Sequence, residues 1–168
     1  MTELKKAFES LGFKKVAPVL ASGNVVFETA KAERIVLEQR IESVLAKQFG
    51  VRVVAIVRTA DQIFGLIKLN PFRSAKLPPN TKLQVTLLAE PTNIQAKFPI
   101  RMPAREFQIV QISSSEICSA VDLSTNARTP ELMKVLEKQF GKNITTRTWN
   151  TIEKIEKILA AEEKVRHG

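Results

Sequence analysis

The sequence predicts an α+β fold, and three observations predict it. Stretches with apolar residues at helical spacing alternate along the chain with short β-branched runs. Glycine or Ser/Thr turns separate those runs closely enough to make hairpins, which points to antiparallel pairing. A chain of 168 residues with 44% hydrophobic content is long enough to bury about 68–70% of its unfolded surface without a disulfide or metal staple.

The first helix is marked by Thr2 as N-cap, by Leu4, Ala7, Phe8 and Leu11 at helical spacing, and by Gly12 just past the end. Two strands are expected over 15–20 and 24–28, joined by Ala21-Ser22-Gly23. Gly23 adopts positive φ freely and Asn24 tolerates it, so Ser22, Gly23 and Asn24 read first as a turn. In the functional alternative, Ser22 and Asn24 project from the loop towards a ligand. A second helix is expected over 31–49, with Ile35, Ile41, Val44, Leu45 and Phe49 inward and Gly50 closing it. "VRVVAIVRT" (51–59) is almost wholly apolar and β-branched, the pattern of a strand buried on both faces. Thr59 with Gln62 forms a capping box for a third helix over 60–69, which Asn70-Pro71 ends.

Six of the eight prolines fall between Pro71 and Pro103, so that stretch should hold loops and one or two strands, clearest at 82–89. Strands over 106–112 and 116–122 follow, then a helix opened by Thr129-Pro130-Glu131 and closed by Gly141. The last helix starts at about Trp149 and carries Ile152, Ile155, Ile158 and Leu159 on one face. The expected organisation is a first half over 1–70, a proline-rich connection over 71–80, and a smaller α/β lobe over 81–168.

An internal echo runs through both halves. "VLAKQFG" (44–50) returns as "VLEKQFG" (135–141), and each is followed by an extended segment, an Arg-Thr pair (Arg58-Thr59, Arg147-Thr148) and a helix. Duplication of an α-β-α unit and shared capping chemistry both account for it.

Composition removes several function classes. Cys118 is the only cysteine and His167, next to the C-terminus, the only histidine, so His/Cys zinc sites and histidine-based catalytic triads lack their residues. The single cysteine suits a reducing, cytoplasmic compartment. No apolar run is long enough for a membrane span. The glycines are spaced too widely for either nucleotide-binding loop, and no metal or cofactor site is expected. Asp61 and Asp122 are the only aspartates and make no catalytic pair, so the residues point to binding and not to an enzyme.

Charge supplies the partner class. The net charge is +9, and residues 1–84 carry 14 Lys+Arg against 7 Asp+Glu. From 62 to 105, Lys68, Arg73, Lys76, Lys82, Lys97, Arg101 and Arg105 face only Glu90. A cationic face of this kind attracts nucleic acid or another polyanion through counterion release, unless the charges merely keep loops soluble. Arg58 and Arg147, each before a helix N-terminus, are candidate anion clamps. Thr59 and Thr148 are either part of that site or simple caps. Trp149 beside Arg147 and Asn150 is either a base-stacking ring or core.

Four motifs then carry a resemblance: "SGNVVF" after the first helix, "VRT" ending a strand, "NPF" (70–72) and "TTRTWNTI" (145–152). In their order and spacing the chain resembles the domain of unknown function 1697 family over nearly its whole length. The resemblance implies a bacterial-type cytoplasmic α+β protein with a ferredoxin-like N-terminal half and no assigned activity. It also implies one departure, because the family opens with an apolar strand and a Gly-Gly turn, whereas this sequence opens at the following helix. In a βαββαβ sheet that strand would lie between 51–58 and 24–28. Either that strand belongs to a longer natural chain or another segment fills its place; a substitute strand is expected, from elsewhere in the chain or from another subunit. Polyanion binding is the leading expectation, a homo-oligomeric interaction module pairing through that strand edge the alternative, and an enzyme with an arginine anion clamp the third.

Overall fold

A computed structural model describes residues 2–20, 23–93, 100–101, 107–126 and 128–167. The element order is α1 (Thr2–Ser10), β1 (Lys14–Val19), β2 (Asn24–Glu28), α2 (Arg34–Phe49), α3 (Ala60–Leu69), β3 (Thr81–Leu88), β4 (Ile100–Arg101), β5 (Phe107–Ile112), β6 (Glu116–Asp122), α4 (Thr129–Phe140), β7 (Ile144–Thr148) and α5 (Trp149–His167). The fold is α+β, with five helices and two antiparallel sheets among the described residues. The chain divides into two compact units, Met1–Phe64 with Glu153–Gly168, and Gly65–Ile152.

In the first unit, β1 and β2 pair as a hairpin, Lys14 opposite Glu28 and Val19 opposite Asn24. Their apolar side packs with α1 and α2 around Ala7, Phe8, Phe13, Val16, Leu37, Ile41 and Leu45. Phe8, Phe13 and Phe27 meet there, with the Phe13–Phe27 rings stacked at 4.5 Å. Helix α2 begins three residues later than expected, and Ile35 and Phe49 are 58% and 43% exposed where inward positions were expected. Both lie off the stripe of Leu37, Ile41 and Leu45 that faces the core. Gly50 closes α2 at φ 68°, its N–H donating to the Ala46 carbonyl.

The strand expected over 51–59 does not form. The segment is not in helix or sheet, and no described strand lies beside it in a ladder. A strand exists only through a neighbour, and β-branched composition alone does not supply one. Side chains of α2 bind its backbone instead: Ala55 N–H donates to Glu42 Oε1 at 2.9 Å and Val57 N–H to Glu38 Oε1 at 2.9 Å. The first unit therefore holds a two-stranded sheet in place of the four-stranded ferredoxin-like one, and no substitute strand joins it from the described residues.

The second unit is built on a five-stranded sheet in the order β4-β5-β6-β3-β7. Its core, Leu88, Phe107, Ile109, Ile117 and Val121 under Leu132 and Leu136 of α4, is closed off from solvent.

Candidate functional site

The seven candidate cations belong to the Gly65–Ile152 unit, and four have described side chains. Lys97 and Arg105 lie outside the described residues, as does the side chain of Arg101. Lys68 is exposed in the last turn of α3, where its charge complements the helix dipole. Asn70 then takes φ 39°, the left-handed region, and a turn follows in which Arg73 N–H donates to the Asn70 carbonyl and Ala75 N–H to the Phe72 carbonyl. Phe72 pins this turn: it is 7% exposed and meets Trp149 edge-on, ring centroids 5.2 Å apart. Arg73 and Lys76 both follow that anchor and are exposed. Among the described residues, Lys68, Arg73 and Lys76 make no ion pair. Ion pairs do occur in the first unit, at Lys5–Glu9, Lys6–Glu3, Lys15–Glu28, Lys15–Glu162 and Arg34–Glu38.

Lys82 is half-buried on β3, and its Nζ donates to Thr129 Oγ1 at 3.3 Å. Gln84 Nε2 donates to the same hydroxyl at 2.7 Å. Gln84 is directly opposite Ser119 on β6 and Thr148 on β7, so three polar side chains form a row across three strands on one face. Gln84 and Ser119 are 1% and 0% exposed, and among the described residues Gln84 Oε1 and Ser119 Oγ have no hydrogen-bond partner. Sequence reasoning missed this row. The signal was the alternation Lys82, Gln84, Thr86 on β3, which reads as a solvent face.

The two Arg-Thr pairs are not in the same setting. Thr59 and Gln62 make the expected capping box: Thr59 N–H donates to Gln62 Oε1 at 2.9 Å, and Gln62 N–H to Thr59 Oγ1 at 3.2 Å. Arg58 Nη1 donates to the Val57 carbonyl at 2.9 Å. Thr148 caps α5, accepting the Thr151 N–H at 3.3 Å, with the two hydroxyls 3.0 Å apart. Arg147 lies inside β7, opposite Val85 and on the sheet face away from Gln84. Its Nη1 donates to Thr145 Oγ1 at 2.6 Å and to the Thr146 carbonyl at 2.9 Å, and burial pushes its pKa down. Trp149 is 8% exposed, whereas Asn150, the next residue of α5, faces solvent.

At the hairpin, Ser22 lies outside the described residues. Gly23 has φ 74°, as a turn requires, and Asn24 Nδ2 donates back to the Val19 carbonyl at 3.3 Å. In the first unit an open pocket of about 460 Å³ lies between Gln39, Glu42, Ser43 and Ala46 of α2 and residues 50–53. Among the described residues no group of three His, Cys, Asp or Glu side chains could hold a metal ion, and no helix is long and apolar enough to cross a membrane.

A protein-family model described as protein of unknown function (DUF1697) matches residues 1–118, ending within β6. No curated protein and no solved structure matches the chain.

Proposed function

The chain belongs to the DUF1697 family of unknown function, and from that premise we propose a non-catalytic binding protein whose 65–152 unit holds nucleic acid or another polyanion. The family brings no activity with it, so the reading rests on the chain's own surface. The observation that carries it is the run Lys68, Arg73, Lys76: three exposed cations within nine residues, without an ion pair among the described residues, on a turn anchored by Phe72 against Trp149. Exposed cations without a carboxylate partner can neutralise phosphates, and each phosphate neutralised releases cations condensed on the nucleic acid. Lys82 adds a fourth charge, and Lys97, Arg101 and Arg105 complete the set in sequence.

A cytoplasmic, reducing setting is part of this reading, supported by a lone and buried Cys118. The enzyme alternative rests on Arg58 and Arg147 as anion clamps, and the bonds of Arg147 to Thr145 and Thr146 hold its guanidinium on its own strand.

The experiment is fluorescence anisotropy with a labelled single-stranded DNA oligonucleotide at low and rising salt. Four phosphate contacts predict a slope of log K against log salt of about −3. Lys68→Glu/Arg73→Glu/Lys76→Glu should abolish binding, and Lys5→Glu/Lys6→Glu in the first unit should leave it. No binding at low salt, or equal loss from both triple and double variants, overturns the reading.

A further inference from the structure

We propose that Lys82, Gln84, Ser119 and Thr129 form a binding site for one hydrogen phosphate ion at the N-terminal end of α4. The proposal does not rest on polyanion binding, which Lys68, Arg73 and Lys76 carry; the two readings share only Lys82.

The unpartnered atoms come first. Gln84 on β3 and Ser119 on β6 stand directly opposite each other and are 1% and 0% exposed. Side chains so placed are close enough to bond one another. They do not: among the described residues, Gln84 Oε1 and Ser119 Oγ have no hydrogen-bond partner. An unpaired buried polar atom is costly, and where the protein supplies no partner a water or a ligand does.

The other bonds of Gln84 fix where this gap lies. Gln84 Nε2 donates to Thr129 Oγ1 at 2.7 Å, so the amide reaches the first turn of α4. Lys82, two residues back on the same face of β3, donates through Nζ to that hydroxyl at 3.3 Å. Thr129 Oγ1 accepts both bonds, which leaves its own O–H to donate. Arg128, the N-cap residue, gives α4 no side-chain cap.

Charge separates an anion from a water. A water would satisfy Gln84 and Ser119. It would leave the Lys82 ammonium beside a helix N-terminus, the end whose dipole favours negative charge and opposes a cation. Among the described residues Lys82 makes no ion pair. Glu131, in the same turn of α4, faces solvent, and Asp122 Oδ1 is taken by Ser124. An anion at this point answers the lysine charge and the helix dipole together.

The mix of donors and acceptor chooses the anion. Lys82, Thr129 and Ser119 offer donors, whereas Gln84 Oε1 offers an acceptor. Sulfate and carboxylates only accept at neutral pH. Hydrogen phosphate accepts through its bare oxygens and donates through its P–OH, so it also satisfies Gln84. A phosphate monoester loses its last proton at about pH 6, and the burial of Gln84 and Ser119 suits the smaller ion.

The test is calorimetric titration of the full chain with sodium phosphate at about pH 7.5, above the last ionisation of a monoester. Sodium sulfate and glycerol phosphate are compared at equal ionic strength. Saturable phosphate binding is expected, about tenfold tighter than either comparison ion, the factor that one unmade hydrogen bond supplies. Ser119→Ala should weaken phosphate about tenfold while leaving oligonucleotide binding unchanged, which separates this site from the polyanion surface. Lys82→Met should abolish phosphate binding. In nitrogen-15-labelled protein, phosphate should shift the Gln84 side-chain amide signal. The ion comparison and the Gln84 signal use the unaltered chain, so they decide the matter even where a variant does not fold. No saturable binding at millimolar phosphate, sulfate binding equally well, or phosphate binding that leaves the Gln84 signal in place overturns the proposal.

Discussion

Cys118 shows how a single side chain is set by what surrounds it. It lies on β6 opposite Val85 and is 1% exposed; burial, with the Glu116 charge adding to it, pushes its thiol up to about 12. Unfolding returns the thiol to an ordinary pKa of about 8.5. The folded state therefore holds more protons between those values, so this group's contribution to stability is complete below about pH 8.5 and is lost as pH rises towards 12. Iodoacetamide at pH 8 should leave the native protein unlabelled and modify it only in denaturant. Native labelling at a rate like that of a free thiol would contradict the burial. Cys118 follows Ile117 in a strand-like stretch, and that is enough to make a small buried hydrophobe legible in the sequence. Trp149 was less so: its spacing to Ile152 fitted a core residue, but the edge-on contact with Phe72, from a turn far back in the chain, was not readable from either residue.

Glu38 belongs to the scale of elements, because it joins two of them. It is 8% exposed, accepts from Arg34 Nη1 through both oxygens at 2.8 Å, and accepts the Val57 N–H. Glu38→Ala removes the acceptor of the Val57 N–H and the bidentate Arg34 contact, and should cost about 1–3 kcal/mol in urea denaturation. Glu38→Gln keeps an acceptor for Val57 and should cost less. Equal losses would mean the charge, not the acceptor, holds the 51–58 segment to α2. Sequence reasoning read that segment as a strand because five of its eight residues are β-branched. It read α2 as an ordinary amphipathic helix. A carboxylate substituting for a neighbouring strand has no periodic signature, since Glu38 and Glu42 are spaced like any pair on one helical face.

For the molecule as a whole, the two buried clusters share no residue: Leu88 to Leu136 in one, Ala7 to Leu45 in the other. Leu136 is 0% exposed and Ile41 3%. Leu136→Ala and Ile41→Ala should each cost about 2–5 kcal/mol. Hydrogen exchange should report the first as lost protection in β3 and β6, and the second in the β1–β2 hairpin and α2. A Leu136→Ala protein with unchanged protection in the five-stranded sheet would mean that this cluster does not organise that unit.

The sequence by itself determined the α+β class, the helix ends at Gly50 and Gly141, the Thr59–Gln62 cap, the excess of cations between 62 and 105, and the single cysteine and histidine. All of these follow from local rules, in which a residue's own backbone preference or charge is enough. Only the tertiary structure decided that Lys82, Gln84 and Thr86 turn towards α4 and not towards solvent, and that β7 finds a sheet while residues 51–58 do not. Periodicity says which residues share a face; it does not say what covers that face. A ladder, likewise, is a property of two segments that meet in space, and no one segment carries it.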